Sequence, residues 1–299
     1  MDIGIFGGKM GDFVITADSN CDLPESYIKE NNIGIIPHYY DIDEIQYGDE
    51  VNLDPHEFYE LMRQGKTPTT VASNPDVIRK TFTRYANEGL DVLHFSFSSA
   101  LSGGHSNVVC GAKEVSDENP GINITVIDTL NVSLGEGMMV MNAVRMKKEG
   151  KTIKEIADWS YANRLNFCVN FVVDDLRHLQ RGGRISKTAA VVGTIINVKP
   201  LLIVDDEGKL VSAGTVRGRK RSLNAIVDRT IENMGRYRDK KYDLCICHGD
   251  VKEDADYVAG LLKEKLGKED IMINYVSPSI GSHAGPGALG ILYMGTKRI

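Results

Sequence analysis

Residues 91–128 read DVLHFSFSSALSGGHSNVVCGAKEVSDENPGINITVID. An apolar run, Asp91–Phe97, leads into a loop of serines and glycines. A helical stretch follows from about Ser102 to Glu118, and then a second β-branched run, Ile122–Asp128. Strand, loop, helix and strand at this spacing predict a βαβ unit, two parallel strands joined by a helix across one face of the sheet. The loop after the first strand then falls at the carboxyl end of the sheet, where open α/β sheets bind their ligands.

The same alternation continues on both sides. Phe13–Ala17 reads as a strand and Pro24 as the start of a helix through about Asn31. Ile33–Ile36 is apolar, and Pro37–Tyr47 is a mixed, extended stretch. Asp54-Pro55 opens a helix that stops at Gly65, a polar loop TPTTVASNP follows, and Pro75 opens a helix through Glu88. Ser133–Glu149 and Ile153–Leu165 are helical by period. From about residue 166 the pattern changes. Phe167–Val173 is strand-like, and Leu201–Val204 and Leu210–Val216 flank a turn at Asp206-Glu207-Gly208 as a hairpin. Strands at Leu244–His248, Ile271–Val276 and Leu289–Met294 alternate with helices at Ser222–Met234 and Lys252–Leu266. The expected fold is α/β: an N-terminal parallel-sheet domain over residues 1–165 and a C-terminal α+β domain over 166–299, with 37–70 free to pack against the second domain.

Composition narrows the function. The chain has 299 residues, 42% of them hydrophobic and 25% charged, which is enough to bury a large core. Thirty-five basic against forty-one acidic residues leave a net charge of −6, the wrong sign for a general nucleic-acid binder. No helix-turn-helix with a basic recognition helix is evident. No apolar run is long enough for a membrane span, and the first residues lack the apolar core of a secretory signal. Residues 1–9, ahead of Met10, read as a loose extension. The five cysteines are scattered, odd in number and without a CxxC pair, so they are expected as small core side chains in a cytoplasmic protein. No HExxH or dense His/Asp cluster points to a metal, and no motif points to a cofactor.

Four polar stretches carry the chemistry. Thr69-Thr70-Val71-Ala72-Ser73 holds three hydroxyls ahead of a helix, able to hold an anion or simply to cap that helix through Ser73 or Asn74. Ser98–Gly104 joins strand to helix. Ser102 is placed to cap, and Gly103 and Gly104 let a ligand approach backbone amides where the helix dipole favours negative charge. It is neither a Walker loop nor a GxSxG elbow. Gly281–Gly290 sets His283 in a tight glycine-rich turn, as a donor to an anion or as a titrating acid–base. Two basic runs, Arg181–Arg184 and Arg217–Arg221, read either as solvated faces or as a dock for an acidic or phosphorylated partner.

Taken in order, these motifs resemble the DegV family. Asp18-Ser19 and Asp22-Leu23-Pro24 match its DS…DLP opening, and Ser99-Ala100-Leu101-Ser102-Gly103 matches SxLSG. Ile127-Asp128-Thr129 with Ser133 and Gly135–Gly137 resembles VIDS…SxGxG. Asp175-Leu176, Leu179 and Gly182–Ser186 match DLxxLxxGGRIS, Lys199-Pro200 matches IKP, and Gly281–Gly290 matches GTHTGPGALG. The resemblance implies two α/β domains with a long-chain fatty acid, C14–C18, in a hydrophobic tunnel between them. It implies a carrier and not a catalyst, one that presents the carboxylate to a separate fatty acid kinase. The family's carboxylate-binding residues carry over to Thr70, Ser102 with Gly103, and His283. Its exposed arginine corresponds to Arg217, with Arg184 the weaker match. Val71 stands where the family has serine, and Gly104-His105-Ser106 where it has Thr-Tyr-Gln, so His105 and Ser99 are additional donor candidates. The competing reading is a hydrolase or transferase of acyl substrates, with Ser102 as nucleophile, His283 as base and Asp18 as the one candidate for the third member.

Overall fold

The computed structural model describes residues 12–49, 51–185, 197–239 and 241–298. The extension at residues 1–9 and Ser186 of the GGRIS motif lie outside them. The first sheet is built from β1 (Phe13–Asp18), β2 (Gly34–Ile36), β6 (Asp91–Ser96) and β7 (Ile124–Asp128), in the order β2-β1-β6-β7 and parallel throughout. Its helices include α1 (Glu25–Glu30), α3 (Pro75–Asn87), α4 (Gly104–Glu118) and α6 (Ile153–Asn163). The βαβ unit of residues 91–128 is therefore formed as read.

The second sheet has the order β10-β9-β8-β13-β11-β12. It comprises β8 (Phe167–Val172), β9 (Val198–Val204), β10 (Leu210–Arg217), β11 (Leu244–His248), β12 (Met272–Tyr275) and β13 (Leu289–Met294). Every neighbouring pair is antiparallel except β11 with β12. α8 (Arg219–Met234) and α9 (Lys252–Leu266) cover its outer face through Leu223, Ile226, Val258 and Leu262. The molecule is thus the mixed α/β fold expected, a parallel sheet followed by a second sheet with its own helices.

The helix α5 (Leu134–Lys148) lies between the two sheets and touches strands of both. Every residue from Leu134 to Met141 is buried. The run LGEGMMVM is apolar nearly all round, as a helix sandwiched on both sides must be. Its four methionines fill irregular gaps between two non-complementary surfaces.

A third, small sheet, β4-β3-β5, is formed by β3 (Tyr39–Ile42), β4 (Ile45–Tyr47) and β5 (Thr69–Val71). It packs with α2 (Pro55–Arg63) around Tyr40, Phe58 and Tyr59. Tyr59 Oη donates to Val276 O at 2.9 Å, and Arg63 pairs with Asp250, so this layer is tied to the second half of the chain.

Four local expectations are corrected. The polar loop after Gly65 contains a strand, because Thr69-Thr70-Val71 is β-branched and finds the edge of β3. The glycine-rich segment is half helical. Pro278 opens α10 (Pro278–Ala284), His283 sits in its last turn, and the tight turn shrinks to Gly285-Pro286-Gly287. The helix read from Ser222 starts at Arg219, so Arg219, Lys220 and Arg221 belong to its first turn. The helix read from Ser102 starts at Gly104. A short helix that was not read, α7 (Leu176–Arg181), is capped by the Asp175 carboxylate, which accepts from Arg177 N.

Candidate functional site

A cleft lies where the carboxyl ends of β1 and β6 face the inner side of the second sheet. Its empty space, counted to the open mouth, is about 980 Å³. The wall from the second sheet is set by strand parity. Val169 and Phe171 of β8, Cys247 of β11, and Gly290 and Leu292 of β13 point inward, while Cys168, Ile246 and Ile291 point out to α8 and α9. Cys245 and Cys247, two apart on β11, share the inner face, and burial pushes the Cys247 thiol up to about 12. Gly290 matters here because it has no side chain. A Cβ on it would stand 3.1 Å from Cys247 Sγ and 3.3 Å from Phe171 Cβ, so these side chains close over the glycine and any larger residue here would have to displace them.

One end of the cleft is polar. Thr70 on β5 and His283 on α10 meet there, with Thr70 Oγ1 2.8 Å from His283 Nε2. The His283 ring turns its Nδ1 edge toward Gly182, where a Cβ would come within 2.0 Å of Nδ1. A residue other than glycine at 182 would push the imidazole off Thr70. Burial, together with the positive charge of Arg184 and Arg181, lowers the His283 pKa to about 4. The ring is therefore neutral at pH 7, a donor or acceptor and not a cation.

Ser102 and Gly103 line the same end. Ser98 holds their loop, donating its hydroxyl to Gly208 O at 2.8 Å in the turn of the β9–β10 hairpin. Ser102 Oγ accepts from Gly104 N at 3.1 Å, but the N-cap position expected for Ser102 falls to Gly103, so Ser102 stands one residue outside the helix. Arg184 lines the cleft as well, and its Nε donates to Leu101 O at 3.0 Å, drawing the GGR turn to the Ser102 loop.

The remaining candidates lie elsewhere. Ser99 is exposed and outside the cleft lining, its amide donating to Asp128 Oδ1 at 3.3 Å. His105 sits in the first turn of α4, also outside the lining. Arg217 ends β10, exposed and apart from the lining residues. Of its neighbours, Arg219 is taken up by Asp254 at 2.7 Å and Asp174 at 3.4 Å, and Lys220 lies over the Tyr257 ring. Among the described residues no hydrogen bond joins Ser102 to His283, and Asp18 stands against His38 and His94 instead. Where His56, Glu60 and Asp250 come together at the surface, Arg63 already bridges Glu60 and Asp250 at 2.6 and 2.5 Å, so a cation occupies the place of a metal.

Several lining residues were not read from sequence: Asn20, His38, Ser133 and Ser279. The one usable signal was a polar residue set in an apolar run, His38 within Ile35-Ile36-Pro37-His38-Tyr39-Tyr40. Behind them is a group of buried acids. Asp22 is pushed up to about 7 by burial, although Ser133 and Ser277 hydrogen-bond to it. Glu136 is raised well above the carboxylate range by burial and by Asp18.

The comparisons with known proteins agree with this architecture. The family model described as "Uncharacterised protein, DegV family" matches residues 12–296. A DegV domain-containing protein of Clostridium perfringens is 37% identical over 291 residues, covering 97% of this chain and 99% of that protein. A DegV family protein from Thermus thermophilus, solved for its fatty acid binding, superposes with a TM-score of 0.84 at 28% identity, over 95% of this chain and 99% of that one. DegV of Bacillus subtilis, a fatty acid binding protein, superposes with a TM-score of 0.82 at 26% identity, over 96% of this chain and 100% of that one. With the family match spanning both sheets and the cleft between them, this chain belongs to the DegV family.

Proposed function

We propose that the chain binds a long-chain fatty acid in the cleft between the two sheets and presents its carboxylate to a fatty acid kinase. The observation that carries this is the pairing of Thr70 with the neutral His283 at the polar end of an otherwise apolar cleft. Apolar burial supplies the affinity, at about 0.8 kcal/mol per methylene, so the acyl chain dominates. The hydroxyls of Thr70 and Ser102 and the imidazole of His283 then serve to satisfy and orient the carboxylate, which would be costly to bury without donors. Gly103, at the start of α4, lets it approach the helix N-terminus, where the dipole favours an anion. Solved DegV proteins of Thermus thermophilus and Bacillus subtilis that bind fatty acids support the same ligand class here.

The test begins with native mass spectrometry of the recombinant protein, in which a co-purified C14–C18 acid is expected. Thr70→Val with Ser102→Ala removes two donors and should weaken binding at least tenfold, given about 1–3 kcal/mol for each polar group left unsatisfied. Unchanged affinity in the double variant would refute the head-group assignment. An empty protein that turns over an acyl ester would favour the hydrolase reading.

A further inference from the structure

The carboxylate of Asp18, at the end of β1, is wholly enclosed. Its Oδ2 accepts from Phe97 N at 2.8 Å and from Ser96 Oγ at 3.3 Å. Two imidazoles stand against it. His38 Nε2 is 3.4 Å from Oδ2, and His94 Nε2 is 3.5 Å from Oδ1. Burial opposes ionisation of this acid, yet His38, by its charge and hydrogen bond, and then His94 outweigh it and hold the group well below the usual carboxylate range.

The two histidines differ in what else they can reach. His94 is sealed in the first sheet with Nδ1 on Thr16 Oγ1 at 2.9 Å. His38 is also buried, but it lines the ligand cleft, and its Nε2 lacks a hydrogen bond of normal length. A Cβ on Gly104 would lie 3.1 Å from His38 Cε1 and 3.3 Å from Ser102 Oγ, so the ring and the hydroxyl flank one point at the start of α4. The cleft-lining ring of Phe97 packs beside it at 6.2 Å.

Positive charge binds a buried carboxylate more strongly than neutral donors do, but His283 is neutral and Arg184 spends Nε on Leu101 O and Nη1 on Gly182 O. An imidazolium has two donors. With Nε2–H directed at Asp18, Nδ1–H remains for a second acceptor. We propose that His38, backed by the buried Asp18 carboxylate, is a further head-group ligand that supplies positive charge to the carboxylate of the bound acid. This inference rests on the fatty-acid reading above.

The experiment compares hexadecanoic acid with its methyl ester at pH 7.5, by fluorescence displacement, on wild type, His38→Gln and His38→Leu. Glutamine keeps a donor toward Asp18 without charge. In each folded variant the acid should lose at least tenfold in affinity while the ester changes by less than threefold. Acid affinity within threefold of wild type overturns the proposal, as does an equal loss for both ligands, which would make His38 a wall residue. Should neither variant fold, the assigned His38 ring resonances of wild type decide. They should shift on adding the acid and not the ester, and the absence of a shift overturns the inference. Wild type binding neither probe would instead end the fatty-acid reading itself.

Discussion

Asp22 lies where the two halves of the chain meet. Ser133 donates to its Oδ2, Ser277 N donates to its Oδ1 at 3.2 Å, and Asn274 holds its carbonyl at 2.8 Å. Its backbone takes the left-handed conformation, φ 51°, which asparagine adopts as readily as aspartate. Burial raises its pKa from 3.8 to about 7, so between those values the folded chain holds a proton that the unfolded chain has released. Stability contributed by this group therefore falls as pH rises through that window. His283 works in the opposite sense. With its pKa lowered from 6.5 to about 4, it makes the fold less stable as pH falls through that range. Asp22→Asn keeps the acceptor and removes the titration. Its unfolding free energy minus that of wild type should rise, the variant becoming relatively more stable, from pH 5 to pH 6.5 by up to about 1.4 kcal/mol per pH unit. Urea titrations at several pH values would check this, and a difference independent of pH would count against a proton on Asp22.

Among the elements, β13 best connects sequence to cleft. Its alternation puts Leu289, Ile291 and Tyr293 against α8 and α9, while Gly290 and Leu292 face the cleft. Valine suits a central strand, so Gly290→Val tests volume and not strand propensity. The added side chain would press on Cys247, Phe171 and Val169 and push them into the cleft. Hexadecanoic acid should bind at least tenfold more weakly, and octanoic acid, needing less of the cleft, should lose less. The ratio of the two affinities on the folded variant is the measurement, and an unchanged ratio would mean that the acyl chain does not pass Gly290. α8 shows a second consequence of element boundaries. Three cations in its first turn oppose the helix dipole, and Asp254 and Asp174 offset that for Arg219.

For the whole molecule, the proposed presentation to a kinase needs a charged surface outside the cleft on which a second protein can dock. Arg184 stands at the polar end of the cleft, whereas Arg217 is exposed at the tip of β10, with exposed Arg221 nearby in sequence. An arginine can hold a phosphate bidentately, and a cluster of them can steer an acidic partner. Arg217→Ala should therefore leave hexadecanoate affinity within twofold while lowering acyl phosphate production by the cognate kinase at least tenfold. Both quantities are to be measured on one preparation. Loss of both would move Arg217 into the lipid site or the fold, and loss of neither would make the cluster a solvated face.

The βαβ unit at 91–128, the hairpin at 201–216 and the strands at 244–248 and 289–294 were legible because their hydrophobic periods and turn residues are local properties. So was the family, from motifs such as Ser99–Gly103 and Gly281–Gly290, and with it Thr70 and His283 as candidates for one site, whereas the contact between these residues, 213 apart, was not. The strand at Thr69–Val71 was missed because it exists only by pairing with Tyr39–Asp41. The helix carrying His283 was missed because four glycines outweighed Pro278 in a local reading. His38 carried only a weak local signal, a polar residue in an apolar run, and no indication of its partners. Its proximity to Asp18 and Ser102 joins three separate segments, brought together because β2 pairs with β1, Ile36 opposite Asp18, while β6 pairs on the other side of β1 and leads into the Ser102 loop. Local propensity and pattern determined which elements form. Long-range burial of charge, which requires partners from distant segments, decided what the site between them contains.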